Sequence, residues 1–165
     1  MRFRHLWLSL PLLVSASHGA AAASWSNNPN DPVQYSIDLP DDSFALQESV
    51  KGHRTLSERA GNAILDVYSG SNTKGLSPAQ FIEQLSRASR IADVTYRAIG
   101  RSWFVISGHY RRETGDPGML IYYAKFVFSP DLSRFAAFEI SYSTAEKARM
   151  DPVVTRLEKT LRFTR

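Results

Sequence analysis

The sequence predicts an α+β fold, an antiparallel β-sheet covered by helices on both faces in an α/β/α sandwich. Between Ala92 and Ser143 four apolar segments follow one another, ADVTYRAIG, SWFVISGHYRR, MLIYYAKFVFS and RFAAFEISYS. They are separated by Gly100, the loop ETGDPG and the turn PDLS, and connections this short join antiparallel neighbours. Paired in order, these strands place Val94, Tyr96, Trp103, Val105, Tyr123 and Phe138 on one face and Phe104, Ile106, Tyr122, Phe126 and Phe135 on the other. A sheet with one wet face alternates apolar and polar residues, and this one is apolar on both. Segments of helical period before and after the meander then supply the coverings.

The elements follow in chain order. Residues 1–23 combine Arg2 and Arg4, an apolar run from Leu6 to Val14 and the small residues Ala20 to Ala23. That is the pattern of a cleavable signal peptide, with cleavage expected near Ala23, and its apolar part is short for a membrane span. Residues 24–32, SWSNNPNDP, read as a flexible lead-in, and residues 33–165 as one sandwich domain. VQYSIDL alternates as a half-buried strand. FALQESVKG and NAILDVYSG are further strands, joined through HRTLSERAG with a turn at Gly61 and Asn62. In SPAQFIEQLSRASR, Ser77 is an N-cap, Pro78 takes the first helical position and Gln80 completes a capping box, with Phe81, Ile82, Leu85 and Ala88 as the apolar stripe. The closing helix is expected to begin with Asp151 as cap and Pro152 at its first position, presenting Val153, Val154, Leu157 and Leu161.

Composition excludes several classes of function. The chain has no cysteine, hence no disulfide framework and no thiol for lipid attachment. Its formal charge of +4 falls to +2 without Arg2 and Arg4, and no basic cluster of the kind nucleic acid requires is evident. No integral membrane segment is expected once the leader is removed. His53 and His109 lack a second histidine at ligand spacing, so no metal site is expected. Gly-x-Ser-x-Gly is absent, and the glycines of ETGDPG precede a strand rather than a helix, so neither a serine-hydrolase elbow nor a phosphate loop is present. No cofactor is expected.

The residues that stand out are polar groups in costly places. Lys125 interrupts LIYYAKFVFS on the face of Val105, Tyr123 and Phe138, with His109 on the neighbouring strand. Arg97 and Glu139 fall on the opposite face. A buried charge must be paired, lie near an edge, or reach water along its own stem. Lys125 is therefore either a tethered structural lysine or a pocket cation for a carboxylate or phosphate. Arg101, Arg111 and Arg112, with Arg97, could form a basic rim suited to an acidic partner or to anionic envelope polymers.

YSIDLP, AGNAILDVY, SWFVISGHY, IYYAKFVFS, FEISYS and DPVVTRLEKTLRF, in that order, resemble small exported bacterial proteins, mostly uncharacterised, with the fold of PsbP, the lumenal extrinsic subunit of photosystem II. In that group an aromatic pair and a lysine stand in the same penultimate strand. The resemblance implies an α/β/α sandwich and a family whose better-known members bind proteins or support assemblies. It carries over no active-site residue, and Lys125 is the one polar position it marks.

The function expected is that of a periplasmic or secreted, non-enzymatic domain that binds a protein partner or envelope component. Two alternatives stand beside it. One is a small hydrolase or ligand-binding enzyme in which Lys125 and His109 share a cleft with a carboxylate such as Asp116 or Glu113; the other is docking on acidic polymers through the arginine rim.

Overall fold

The computed structural model describes residues 25–30, 35–50, 52–87, 90–111 and 119–163. The expected signal peptide lies outside the described residues, as do Val33, Ala88, Arg112, Glu113 and Asp116.

In chain order the elements are β1 (Trp25–Asn30), β2 (Tyr35–Pro40), β3 (Phe44–Val50), β4 (His53–Glu58), β5 (Ile64–Ser71), α1 (Pro78–Ser86), β6 (Ile91–Ile99), β7 (Trp103–Tyr110), β8 (Leu120–Phe128), β9 (Arg134–Ser143), α2 (Lys147–Thr160) and β10 (Arg162–Phe163). A seven-stranded antiparallel sheet runs in the order β3-β4-β5-β9-β8-β7-β6, beside a small sheet β1-β2-β10. The meander β6 to β9 is thus continuous, as its short turns dictate. Lys125 faces Val105 on one side and Phe138 on the other, so it shares their face. Arg97 opposite Ile106, and Glu139 opposite Ala124, lie on the reverse face.

Each face feeds its own apolar cluster. On the Phe138 side, Leu65, Val67 and Ile140 pack with Tyr35 and Ile37 of β2 and with Met150, Val154 and Leu157 of α2. On the Phe104 side, Ile106, Tyr122 and Phe126 pack around Ile82 of α1. Phe104 and Phe126 stack with centroids 4.7 Å apart, and Phe81 of α1 closes over Phe126 and Phe135 at 5.5 and 5.2 Å. Burying each such side chain contributes about 1.5–3 kcal/mol. The capping box forms as its sequence demands: the Ser77 hydroxyl accepts from the Gln80 amide, and the Gln80 side chain accepts from the Ser77 amide.

Coverage by the two helices is offset. α1 packs on β6 and β7 on one side, whereas α2 packs on β9 and β2 on the other. The β6–β7 end of the α2 side is therefore open, and Tyr96 there is 54% exposed.

Four local expectations change. Val94 does not share a face with Tyr96: β6 is bulged between them, so Val94 opposes Gly108 while Tyr96 opposes Ser107, and Val94 joins the Phe104 cluster. One extra residue in an edge strand flips every side chain beyond it. Part of the expected flexible lead-in, Trp25–Asn30, is a strand paired along its length with β2; being at a sheet edge, it tolerates Pro29. HRTLSERAG is not a plain connection, because His53–Glu58 pairs with both β3 and β5 and buries Leu56 and Glu58. The closing helix starts at Lys147, a turn before Asp151, so Pro152 lies inside it. Burial of Met150 rewards the extra turn and offsets the cost of Pro152, which forfeits one backbone hydrogen bond and crowds the carbonyl four residues before it.

Candidate functional site

Two grooves open on the α2 side of the sheet, one on either side of the Tyr123–Lys125 stretch of β8. The first encloses about 670 Å³ between Thr95, Tyr96, Ser107, His109 and Tyr123 of the sheet and Lys147, Asp151, Thr155 and Glu158 of α2. The second encloses about 680 Å³ between Arg101 of the β6–β7 turn, Trp103, Lys125 and Val127 of the sheet, Pro130 and Leu132 of the β8–β9 turn, and Leu161, Arg162 and Phe163 at the end of the described chain.

In the first groove the charged groups are satisfied within the chain. A second register shift in β6, between Ile91 and Asp93, brings Asp93 opposite His109, where its Oδ1 accepts from the His109 amide at 2.8 Å and lies 2.9 Å from the ring Nδ1. Lys147 donates to both oxygens of Asp151 at 2.9 Å, one turn along α2. The Tyr123 hydroxyl donates to Glu158 Oε2 at 2.7 Å. Burial, followed by that hydrogen bond to a carboxylate, holds the Tyr123 phenol well above its ordinary pKa. Ser107, two residues from His109, donates its hydroxyl to the Tyr122 carbonyl at 2.8 Å. The histidine and carboxylate therefore have no hydroxyl presented to them by Ser107, and the set needed for covalent hydrolysis is not assembled from these residues.

The second groove is built differently. Lys125 Nζ donates to the Glu158 carbonyl at 2.5 Å, one of the last carbonyls of α2 and at its negative end. It also lies 5.9 Å from the centre of the Trp103 ring, within cation–π range. Burial lowers the Lys125 pKa, and the nearby Glu158 carboxylate opposes that shift. In the β8–β9 turn, between the lining residues Pro130 and Leu132 but not itself lining the groove, Asp131 accepts from the Ser129 hydroxyl at 2.6 Å and the Ser133 hydroxyl at 2.8 Å, fixing the turn. These bonds pull its carboxyl down to about 2.

The residues singled out from the sequence do not converge. Lys125 opposes Val105, whereas His109 lies four residues further along β7, opposite Ile121; that is about 13 Å at strand rise. The two line different grooves, so the shared cleft expected for them is not formed. Arg97 and Glu139 share a face, but β7 and β8 separate their strands. Arg97 pairs with Glu83 of α1 at 2.8 Å, and Glu139 with Arg90 at 2.8 Å and with the Tyr110 hydroxyl. The arginine rim does not form as drawn: Arg101 and Arg111 flank the eight-residue β7 at opposite ends, roughly 26 Å apart. Arg97 belongs to the other face, and Arg112 lies outside the described residues. Among the described residues no three of His, Asp and Glu converge to hold a metal ion, and no helix is long and apolar enough to cross a membrane.

Neither a family model nor a curated protein matches the sequence. Solved structures do match the backbone. The Ran-binding protein Mog1p of Saccharomyces cerevisiae superposes with a TM-score of 0.59 at 8% identity, covering 86% of this chain and 96% of that one. A cyanobacterial PsbP, CyanoP from Synechocystis, superposes with a TM-score of 0.57 at 11% identity, covering 91% of this chain and 98% of that one. The fold is PsbP-like. At these identities the likeness is one of backbone path, and no residue role passes with it.

Within this PsbP-like frame, sequence reasoning missed Arg162, Phe163, Glu158 and the exposed position of Trp103. The alternating tail after Leu161 was the available signal for the first two, since a helix followed by a charged and an aromatic residue can end in a short strand. Glu158 acts through its carbonyl as well as its carboxylate, and a carbonyl leaves no mark in a sequence.

Proposed function

We propose that the chain is an exported, non-enzymatic domain that binds a protein partner through the His109 groove, with its two helices as the outer layers of an α/β/α sandwich. The observation that carries this reading is the combination found in that groove: a tyrosine 54% exposed at its mouth, beside polar groups already partnered, His109 with Asp93 and Lys147 with Asp151. Groups partnered in this way leave little free acid or base for chemistry. An exposed tyrosine on a rigid strand is a common anchor for a protein surface. The leader-like pattern of residues 1–23 supports export to the periplasm or beyond. A neighbour in fold, Mog1p, is a Ran-binding protein, which fits a binding role.

The test is capture from envelope extract by the purified chain, in parallel with Tyr96→Ser and Thr155→Arg. A discrete protein retained by the parent and lost from both variants is the expected result. Equal capture by all three would defeat the reading, as would saturable turnover of an ester, peptide or glycoside abolished by one change in the groove.

A further inference from the structure

The second groove differs from the rest of the surface in its charge. Arg101, Lys125 and Arg162 line it, and no acidic side chain does. None of the three forms an ion pair among the described residues. Elsewhere several cations are ion-paired, as in Arg149 with Glu58 and Glu146, Arg156 with Asp38, and Arg90 with Glu139; what marks this groove is three cations lining one concave site without a carboxylate beside them in its lining.

Lys125 is held in place by one carbonyl and one aromatic face. An ammonium has three donors, so this bond leaves it with capacity to spare. The remaining walls are apolar, chiefly Trp103, Val127, Leu161 and Phe163. A groove of about 680 Å³, lined mostly by apolar side chains with a few cations among them, falls within the volume range of small-molecule sites.

We propose that this groove binds a small organic anion, with a carboxylate or phosphate head held by Lys125, Arg101 and Arg162 and an apolar body laid against Trp103 and Phe163. Guanidinium groups suit either head, since their paired N–H groups match two oxygens at once. The walls suit an acyl or aryl body rather than a sugar, because they offer apolar and aromatic surface in place of hydrogen-bond partners. The site is separate from the groove assigned to a protein partner, so either reading can fail alone.

The test titrates the full chain with octanoate, octyl phosphate, octanol and octylammonium, following tryptophan fluorescence and the Trp103 indole N–H resonance. Saturable binding of octanoate or octyl phosphate is expected, at least about tenfold tighter than octanol, with octylammonium weakest. Which anion binds better identifies the head. The variant carrying Arg101→Gln and Arg162→Gln should keep the parent's melting temperature, because both arginines are exposed, and should lose about tenfold in anion affinity. Lys125→Met should lose at least as much, and if it melts early the double-arginine variant carries the test. Equal affinity for octanol and octanoate would reduce the site to an apolar slot and overturn the proposal. So would absence of saturable anion binding, or binding unchanged in the double variant.

Discussion

The two grooves lie on one face of one sheet and are nearly equal in volume, the first walled by α2 and the second by the segment that follows it, yet their charges are arranged in opposite ways. In the first, His109, Lys147 and the Tyr123 hydroxyl each face a carboxylate of this chain. In the second, three cations gather without a carboxylate among the lining residues. A matched charge contributes mainly to local geometry, whereas an unmatched one leaves binding capacity for something from outside. Both arrangements meet at Glu158, whose carboxylate serves the first groove and whose carbonyl holds the lysine of the second.

The grooves also differ in how rigid their floors are, and two glycines expose that. A Cβ added at Gly108, beneath the first groove, would overlap the Asp93 carbonyl, which is backbone. A Cβ added at Gly100, beside the second, would overlap the Trp103 indole, which is a side chain. Gly108→Ala should therefore have the largest effect, a loss of about 1–3 kcal/mol. Strand β6 should shift at Asp93 and the His109–Asp93 pair should open, seen as a lower urea midpoint and a displaced His109 ring signal. Gly100→Ala should cost less stability, since Trp103 can swing aside, but it should weaken anion binding by several-fold. An equal loss of stability in the two variants would erase the distinction.

Lys125→Met probes the tether between them. The bond to the Glu158 carbonyl and the cost of burying the ammonium act against each other, so the net change at neutral pH should stay within about 1.5 kcal/mol. The pH dependence is more telling. The pKa of Lys125 is lowered in the folded chain, so in the range just below the ordinary 10.5 the unfolded chain binds the extra proton. Stability relative to Lys125→Met should therefore rise as pH climbs toward that value. Parallel stability curves for the two proteins in alkali would contradict the burial of this lysine.

Glu158→Gln should have the smallest energetic effect, about 0.2–1 kcal/mol, but opposite signs in the two grooves. Loss of the carboxylate weakens the Tyr123 contact in the first and removes a negative field near Lys125 in the second. Anion affinity should rise while partner capture falls, and a change of the same sign in both would show that the grooves act as one site.

What could be read from the sequence follows from the range of the interactions involved. The meander, the Ser77–Gln80 cap, and the placement of Lys125 on one face with Arg97 and Glu139 on the other all depend on period-two alternation and nearby turn residues. Val94 departed because a bulge carries no residue signature of its own. β1 and β4 depend on partners that complete a ladder, and a segment rich in Asn and Pro gives no hint that an edge is waiting for it. Lys125 and His109 looked adjacent in a list of strands, yet register sets them four residues apart along β7. The second groove was the least legible part, since it joins Arg101, Lys125 and Arg162 from a turn, a strand and the tail.

The most direct measurement is a map of amide and indole shifts in the full chain during an octanoate titration. The account predicts saturable changes at the Trp103 indole, Lys125, Leu161 and Phe163, with Tyr96, His109 and Thr155 unmoved. Changes centred on Tyr96 and His109, or none that saturate, would contradict it.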